Sequence, residues 1–311
     1  MINNKIAVLL STYNGEAYLA RQLDSLLAQS YKDFEIIARD DGSTDASLEI
    51  LKAYRVTLVD ANHNVGAKKS FEALLEFGLE NLQSDYFMFC DQDDVWESDK
   101  IEKSYLKIEE IQRKYPDTPV LVHTDLKVVD TKLATLYESF WEYEHTIPRY
   151  NSFNRLLMQN TITGCTMIIN KELAEKCLPI PEASIMHDWW IGLVASQFGV
   201  IGYIEESTIN YRQHSGNTIG AKKFNHFTIF KKTFDILFLK NLYLEHLHGN
   251  LIQAEAFLQT YQSQLDPTTK EMLQDFITLE EKSFWQRRAI LLKYKLFKQG
   301  FIRNIGLFLK I

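Results

Sequence analysis

The sequence has few cysteines and no long apolar run, and both absences limit what the chain can be. Its three cysteines, Cys90, Cys165 and Cys177, form neither a paired framework nor a CxxC zinc spacing, which is typical of a reducing compartment. The N-terminal stretch has only five consecutive apolar residues, Ile6 to Leu10, too few for a signal peptide or a spanning helix. No later run reaches the roughly 18 apolar residues of a transmembrane helix. We therefore expect a soluble, intracellular protein.

Acidic residues are missing from the C-terminal end of the chain. Residues 282–311 contain eight Lys or Arg and no Asp or Glu, whereas the preceding 281 residues contain 26 basic and 41 acidic residues. An acidic body argues against nucleic acid as a partner. In the segments 222–232 and 282–311, basic residues alternate with aromatic and apolar ones, as in helices that lie on a membrane surface. The alternative is a soluble helical hairpin that packs on the rest of the chain or on a second subunit of a homo-oligomer.

Two nucleotide-binding signatures are also missing. No GxGxxG follows a predicted strand, which disfavours a dinucleotide-dependent oxidoreductase. The loop after the first strand, "STYNGEAY", has no Gly-rich segment with Lys or Arg, which disfavours a nucleotidyltransferase.

The first hundred residues alternate between strand and helix patterns. We predict strands at 6–10, 34–38, 56–59 and 86–90, separated by helices at 16–30, from about 45, and at 67–81. This alternation predicts βαβ units and a mainly parallel sheet. Further along, we predict strands at 120–130 and 163–170, a helix at 186–199, a strand, turn and strand over 199–214, and helices beyond 222.

Polar clusters follow three of the predicted strands. They are "STYNG" at 11–15, "RDDGSTD" at 39–45 and "DQDD" at 91–94. Because ligands of parallel α/β sheets bind outside the carboxyl ends of the strands, we expect the three clusters to form one site.

The acidic cluster "DQDD" is the most informative of the three. Strand alternation places Asp91 and Asp93 on one side and Gln92 and Asp94 on the other. Two carboxylates on one side suit a hard divalent cation that also binds phosphate oxygens. Asp94 has a simpler explanation as the N-cap of the helix that follows.

The "RDDGSTD" cluster has both a structural and a functional explanation. Gly42 permits a tight turn, and Ser43, Thr44 or Asp45 can cap the next helix. Asp40 and Asp41 then remain free to accept hydrogen bonds from a base or from a ribose hydroxyl.

The motifs "LLSTYNG", "RDDGSTD", "NHNVG" (62–66), "DQDDVW" and "HDWW" occur in an order and spacing that resemble a family 2 glycosyltransferase of GT-A fold. The versions "HDWW" and "YRQHSGN" are most similar to bacterial rhamnosyltransferases of cell-wall or capsular polysaccharide synthesis. The resemblance implies an α/β fold with a Rossmann-like, mainly parallel sheet flanked by helices. It divides the chain into a catalytic domain, 1–220, and a helical basic and aromatic region, 221–311. Within the domain, about 1–100 would bind the nucleotide sugar and about 101–220 the acceptor.

The resemblance also implies roles for individual residues, carried over motif by motif. Asp188 would be the catalytic base, although it also lies where it could stabilise a helix dipole. The metal, Mn²⁺ or Mg²⁺, would be bound by Asp91, Asp93 and His214. The acceptor would contact Trp189, Trp190 and Gly164, although one of the two tryptophans is expected in the core and Gly164 also suits a plain turn. The donor would contact Ser11, Thr12, Tyr13, Asp40, Asp41, Asp91 and Arg212.

The implied activity is the inverting, metal-dependent transfer of a sugar to a lipid-linked glycan at the inner face of the cell membrane. The expected donor is dTDP-L-rhamnose, with a UDP-hexose as the alternative. A non-catalytic glycan-binding or scaffold protein of the same fold is the alternative outside the enzymes.

Overall fold

A computed structural model describes residues 5–61, 63–214 and 240–311. The predicted boundary near 220 and the basic stretch at 222–232 lie outside the described residues. The described residues form a nine-stranded sheet with helices on both faces. The strands are β1 (Ile6–Thr12), β2 (Phe34–Asp40), β3 (Thr57–Leu58), β4 (Tyr86–Cys90), β5 (Val95–Trp96), β6 (Val120–Val129), β7 (Thr135–Tyr137), β8 (Ile168–Asn170) and β9 (Val200–Arg212).

The strand order is β3-β2-β1-β4-β8-β6-β9-β5, and β7 pairs with β6 at one side of this path. The first four strands of that order pair in parallel, as the sequence predicts. Strand β8 then runs antiparallel to both β4 and β6, whereas β6 and β9 are parallel to each other. The carboxyl ends of β1, β2 and β4 therefore lie at one edge, next to the end of β9.

The helices comprise α1 (Leu19–Leu27), α2 (Ser47–Ala53), α3 (Gly66–Asn81), α4 (Lys100–Lys114), α5 (Phe140–Glu144), α6 (Phe153–Leu156), α7 (Lys171–Cys177), α8 (His187–Phe198), α9 (Lys240–Tyr261), α10 (Pro267–Ile277), α11 (Phe284–Lys293) and α12 (Phe301–Lys310). None of the helices in the described ranges is long and apolar enough to cross a membrane.

Strand β1 shows why this sheet needs helices on both faces. Its apolar residues are fully buried, and successive side chains enter different cores. Ala7 and Leu9 join one core, and Val8 and Leu10 join the other. Because both faces of the strand are covered, the sequence shows a continuous apolar run rather than an alternating one.

The C-terminal helices α9 to α12 pack on the first of these cores. Phe257 of α9 lies against Trp190 of α8, with ring centroids 5.6 Å apart. Leu291 of α11 and Leu307 of α12 belong to the same cluster of buried residues. Helix α8, which carries Asp188, therefore shares its core with the C-terminal region.

Two of the predicted elements are wrong in detail. The predicted strand at 163–170 begins with a turn of 3₁₀ helix, Gly164–Thr166, because the Thr166 and Met167 amides donate to carbonyls three residues earlier. The predicted turn within 199–214 does not exist, because β9 is a continuous strand that accommodates shifts of register against β6.

Candidate active site

Gln92 connects the end of β1 to the acidic loop that follows β4. Its Oε1 accepts hydrogen bonds from Thr12 Oγ1 at 2.6 Å and from Tyr13 N at 2.7 Å, and its Nε2 donates to Tyr13 O at 3.1 Å. A Cβ on Gly15 would lie 2.3 Å from Gln92 Oε1, so glycine is required for this close approach. Tyr13 remains 48% exposed, which leaves its ring available to a ligand. The neighbouring Ser11 hydroxyl donates to Ser70 of α3.

The two acids that end β2 mainly organise the loops around them. Asp40 accepts hydrogen bonds from the amide and the hydroxyl of Ser43. Asp41 is buried, pairs with Arg39, and accepts hydrogen bonds from the amides of Val65 and Gly66. Both carboxylates therefore already accept hydrogen bonds from the protein: Asp40 from Ser43, and Asp41 from the loop that leads into α3. A nucleoside could bind only to their remaining acceptor positions.

Asp93 lies where the acidic loop meets the end of β9. Its Oδ2 is 2.8 Å from His214 Nε2. Its carbonyl oxygen accepts a hydrogen bond from Arg212 Nε at 2.8 Å, and a second nitrogen of the same guanidinium donates to Thr131 O. Arg212 is buried, with its guanidinium 4.7 Å from the Tyr18 ring. Two of its guanidinium nitrogens therefore hold the loop, and the expected contact of Arg212 with the donor stays a prediction.

Asp91 and Asp94 approach each other in the folded chain, contrary to the predicted alternation. Their carboxylate oxygens and Cys165 Sγ all lie within 4.8 Å of one another. Strand β4 ends at Cys90, so the alternation of strand side chains does not extend to these positions. Asp94 is fully buried and accepts a hydrogen bond from Arg212 N, whereas α4 begins at Lys100 with Asp99 as its preceding residue. The N-cap role expected of Asp94 is therefore wrong.

Burial and mutual repulsion raise the pKa values of these carboxyl groups. Desolvation is the larger cause for Asp91, followed by the charges of Asp93 and Asp188. The pKa of Asp94 is raised well above its usual range, again first by burial and then by Asp93 and Asp91. Lys100 lies behind this cluster, completely buried, and burial lowers its pKa to about 8. The ionised forms of these carboxyl groups are therefore unfavourable unless a positive charge lies beside them, and a bound cation would supply that charge.

The donor atoms at Asp93 and His214 fit a hard divalent cation. Two neighbouring ligands of an octahedral ion with bonds of about 2.1 Å lie about 3 Å apart, close to the Asp93–His214 distance. Asp91 supplies a further carboxylate close enough to interact with Asp93 electrostatically. The Cys165 thiol, in contrast, is a soft ligand that Mg²⁺ and Mn²⁺ disfavour, and it lies on the buried side with Asp94.

Asp188 occupies the first turn of α8 and is held by several donors. Its Oδ1 accepts a hydrogen bond from Trp189 N at 2.6 Å. Burial raises the pKa of Asp188 to about 6, against the lowering effect of hydrogen bonds from the Trp189 and Gly164 amides and the Asn160 side chain. A carboxyl group with this pKa is ionised at neutral pH and can still accept a proton.

Gly164 supports Asp188 by allowing the 3₁₀ helix to approach the start of α8. A Cβ at this position would lie 2.9 Å from His187 Nε2 and 3.5 Å from Asp188 Cβ. The His187 ring also packs against Phe71 and Phe89, and burial lowers its pKa to about 3. The structure therefore gives Gly164 a packing role, and its expected contact with the acceptor stays a prediction.

The two adjacent tryptophans have different environments. Trp190 is completely buried and donates its indole N–H to Cys177 O at 2.9 Å. Stacking of Trp190 on an acceptor sugar is therefore wrong. Trp189 is partly exposed and donates its indole N–H to Leu156 O at 2.6 Å. Trp189 remains the aromatic candidate for acceptor binding.

The comparison with known proteins decides the family. A family model described as "Glycosyl transferase family 2" matches residues 7–178, more than half of the chain. The chain belongs to glycosyl transferase family 2. The resemblance stated from the motifs is thus confirmed, and the family and its relatives support a glycosyltransferase.

Relatives of this family 2 chain come from several bacteria. The dTDP-rhamnosyl transferase RfbG of Shigella flexneri is 29% identical over 230 residues, which cover 68% of this chain and 74% of that protein. An uncharacterized glycosyltransferase of Rickettsia typhi is 26% identical over 214 residues. That match covers 68% of this chain but 65% of the Rickettsia protein, so the chain spans a little under two thirds of this relative.

A solved structure supports the fold of the family 2 chain. TarS of S. aureus, residues 1–349 in complex with UDP-GlcNAc, superposes with a TM-score of 0.54 at 21% identity. The superposition covers 93% of this chain and 80% of the TarS chain. The α/β fold of GT-A type predicted from the sequence is confirmed.

Sequence reasoning missed three residues that build this family 2 site. The sequence pattern identifies Gln92 only as a neighbour of the acids, although an amide side chain can both donate hydrogen bonds to backbone groups and accept them. No sequence motif indicates that Cys165 and Lys100 belong to the site, because each approaches the acids only through tertiary packing.

Proposed function

We propose that the protein is an inverting, metal-dependent glycosyltransferase that moves L-rhamnose from dTDP-L-rhamnose to a hydroxyl of a lipid-linked glycan in bacterial cell-surface polysaccharide synthesis. One observation carries the proposal. Asp188, a carboxylate with a pKa raised to about 6, lies close enough to Asp91 at the end of β4 for their charges to interact. A proton acceptor therefore lies beside the place where a nucleoside diphosphate would leave.

The donor is proposed to bind along the ends of β1 and β2. The exposed ring of Tyr13 offers a face on which a pyrimidine base can stack. Ser11, Asp40 and Asp41 line the same edge of the sheet and supply hydroxyl and carboxylate groups for the base and ribose. Thr12 is buried and bonded to Gln92, so its contribution is to hold this edge in place.

Asp93 and His214, together with Asp91, would hold Mn²⁺ or Mg²⁺. Such an ion, when bound, offsets the charge that grows on the departing diphosphate. Arg212 fixes Asp93 through the backbone, so the loop presents its carboxylate to the site rather than to solvent. The close approach of several carboxyl groups, which repel one another when ionised, is the feature that supports a cation here.

Asp188 is proposed to act as the base. The acceptor hydroxyl attacks the anomeric carbon, the bond from that carbon to the diphosphate oxygen breaks, and the hydroxyl proton passes to Asp188. Because a single displacement occurs on the face opposite to the leaving group, the configuration at the anomeric carbon inverts. The Gly164 and Trp189 amides and the Asn160 side chain keep the carboxylate in position for this step.

The donor sugar is the finer part of the proposal. The similarity to the dTDP-rhamnosyl transferase RfbG over most of the chain supports rhamnose. A UDP-hexose is the alternative, and the structural neighbour TarS binds UDP-GlcNAc. A scaffold without activity is the remaining alternative, and the perturbed pKa of Asp188 in a site with other acids favours an enzyme over it.

The acceptor is proposed to reach Asp188 past Trp189, the partly exposed ring beside the base. A lipid-linked glycan would present its terminal sugar at the inner face of the cell membrane. The protein would then act in the cytoplasm, at that surface.

Thermal stability in the presence of nucleotide sugars tests the donor, because a ligand that binds the folded state raises the melting temperature. With Mn²⁺ or Mg²⁺, dTDP-L-rhamnose should raise it more than UDP-glucose or UDP-galactose does. Equal or greater stabilisation by a UDP-hexose would remove rhamnose from the proposal. Slow release of free sugar from the stabilising donor by the wild type, and not by Asp188→Asn, separates an enzyme from a scaffold.

A further inference from the structure

The C-terminal helices expose large apolar side chains that no described residue covers. On α11 and α12, Trp285 is 77% exposed, Phe301 82% and Leu309 67%. Residues 285, 289 and 292 of α11, and 301, 305 and 309 of α12, recur at helical spacing and are all exposed. Each helix therefore presents an apolar stripe away from the core that Leu291 and Leu307 join.

Arg288 connects helix α11 to the carboxyl end of α12. This side chain lies over the ring of Phe284 on its own helix and donates hydrogen bonds to Phe308 O and Ile311 O at the end of α12. The carboxyl end of α12 is thereby attached to the exposed side of α11. We call the exposed apolar side chains of these two helices the C-terminal apolar surface; they are Phe284, Trp285, Leu292, Phe301, Ile305 and Leu309.

Positive charge accompanies this surface. Arg287 donates to the backbone carbonyls of Glu280 and Lys282, and Arg288 to those of Phe284 and Phe308, which carry no formal charge to offset the guanidinium groups. Lys295 is exposed just after α11, and residues 282–311 contain no Asp or Glu. Of the basic residues in this segment, Lys293 pairs with Glu271 and Asp275, and Arg303 pairs with Glu144. A second basic and aromatic element adjoins the surface, since the exposed Tyr150 has the guanidinium groups of Arg149 and Arg155 about its ring.

Buried polar contacts connect the surface to the catalytic domain. Gln299, between α11 and α12, exchanges hydrogen bonds with the backbone of Ile147 and donates to Tyr150 O. Asn154 of α6 donates to Tyr294 O and Lys295 O. Helix α6 also supplies the Leu156 carbonyl that receives the Trp189 indole. The surface and the turn that carries Asp188 are thus fastened to the same short helix.

We propose that the C-terminal apolar surface binds to the surface of an anionic lipid bilayer. The proposal rests on the juxtaposition of exposed apolar side chains (Trp285, Phe301 and Leu309) with basic ones (Arg287, Arg288 and Lys295). Aromatic and aliphatic side chains enter the interface, and the basic residues attract acidic headgroups. Given the proposed function, binding through this surface sets the height and orientation of Asp188 above the membrane, so that a glycan on a lipid carrier reaches it.

Vesicle binding by the full-length protein tests the proposal. The probes are vesicles of phosphatidylcholine alone and of phosphatidylcholine with about 30 mol% phosphatidylglycerol, a content that gives a negative surface potential. We expect at least about tenfold stronger co-sedimentation with the anionic vesicles, a loss of this difference at high salt, and a blue shift of tryptophan emission. Trp285→Phe should remove most of the shift while preserving binding, because the other four tryptophans are less exposed.

Charge substitutions at the surface provide the decisive comparison. Phe301→Glu and Leu309→Glu should each weaken binding to anionic vesicles at least about tenfold, and Lys295→Gln should reduce it less. Leu106→Glu is the matched control, since Leu106 is 60% exposed on α4, far along the chain from this surface. Equal binding by all these proteins would overturn the proposal, whether or not their melting temperatures change.

Two further outcomes separate the surface from the enzyme. A stable dimer that Phe301→Glu dissociates, without binding to vesicles, would show that a second copy covers the surface and would overturn the proposal. Release of free sugar from a soluble nucleotide donor should be unchanged in Phe301→Glu. Vesicle binding without any turnover of donor would contradict the proposed function but would still support a lipid-binding role for the C-terminal apolar surface.

Discussion

Asp93 Oδ2 lies 2.8 Å from His214 Nε2, although 121 positions separate the two residues in the chain. The acid comes from the loop after β4, and the histidine follows the last strand of the sheet. A pair of potential ligands is therefore assembled only when β9 has joined the sheet beside β6.

Substitutions in this pair should abolish metal binding. Asp93→Asn and His214→Ala are each expected to weaken Mn²⁺ binding and to lower sugar transfer at least about 100-fold, because a metal at a leaving diphosphate is worth several kcal/mol. Calorimetric titration with Mn²⁺ and a donor-turnover assay measure the two effects. The control is Asp99→Asn, six positions further along, whose exposed carboxylate pairs with Lys103. Unchanged Mn²⁺ binding in both site variants would place the metal elsewhere.

The pH dependence of transfer should follow Asp188. Its pKa is raised to about 6, and the base acts in its ionised form, so kcat/KM should rise with pH through about 6 and then level off. His187, whose pKa is lowered to about 3, should not contribute to this limb. Asp188→Asn should lower kcat by at least about 100-fold with little change in donor affinity. If kcat/KM of the wild type changed by less than about a factor of two between about pH 5 and pH 8, Asp188 would not be the catalytic base.

Gly15→Ala should disrupt the connection between β1 and the acidic loop. The new Cβ would lie 2.3 Å from Gln92 Oε1 and 2.9 Å from Thr12 Oγ1, so the amide must move and its hydrogen bonds to Thr12 and Tyr13 must break. We expect a loss of about 1–3 kcal/mol in the free energy of unfolding, measured with urea, and weaker donor binding.

Gly306→Ala is the matched control for that substitution. Nothing lies within 4 Å of a Cβ at Gly306, which is in the helix α12, so alanine should be neutral or slightly stabilising there. If Gly15→Ala changed the free energy of unfolding and the donor affinity no more than Gly306→Ala does, the close approach of Gln92 to Gly15 would not contribute to stability or to donor binding.

Replacement of Trp190 should reduce the free energy of unfolding much more than replacement of Trp285. Trp190→Ala should reduce the free energy of unfolding by about 3–5 kcal/mol, since it empties a fully buried site and leaves Cys177 O without its donor. Trp285→Ala should change it by less than about 0.5 kcal/mol, because that side chain is mostly in solvent. Urea unfolding monitored by circular dichroism measures both, and similar values for the two variants would contradict the assignment of Trp190 to the core.

The sequence predicts the first half of the sheet well because its signals are local. An apolar run such as Ile6–Leu10, ended by polar residues, defines a buried strand without knowledge of any partner. The polar strand ends follow from the same pattern, and the parallel pairings of β1 with β2 and β4 then bring them together. The positions of Ser11, Asp41 and Asp91 at one edge needed no tertiary information beyond the fold class.

The errors arise where distant residues determine the conformation. Asp94 resembles an N-cap in sequence, but its buried carboxylate receives the Arg212 amide from β9 instead. The sequence also gives no sign that Arg212 anchors the acidic loop, because the carbonyl oxygens of Asp93 and Thr131 that accept its hydrogen bonds lie far away in the chain. In Trp189 and Trp190 the sequence supplies two equivalent rings, and packing against distant residues such as Phe257 of α9 and Cys177 of α7 encloses only Trp190.

Strand β9 has a consequence for any shortened version of the protein. The segment that the family model matches stops at residue 178, before α8 begins and well before Arg212 and His214. A fragment cut there would keep every acid of the β4 loop but would lack the arginine that anchors it, the histidine that faces it and the helix that supplies Asp188. If the proposed roles are right, a fragment that turns over donor has to extend at least to residue 214. A fragment that stops at residue 178 would keep the ends of β1 and β2, so we expect it to lose turnover while it retains the residues proposed to bind the nucleoside.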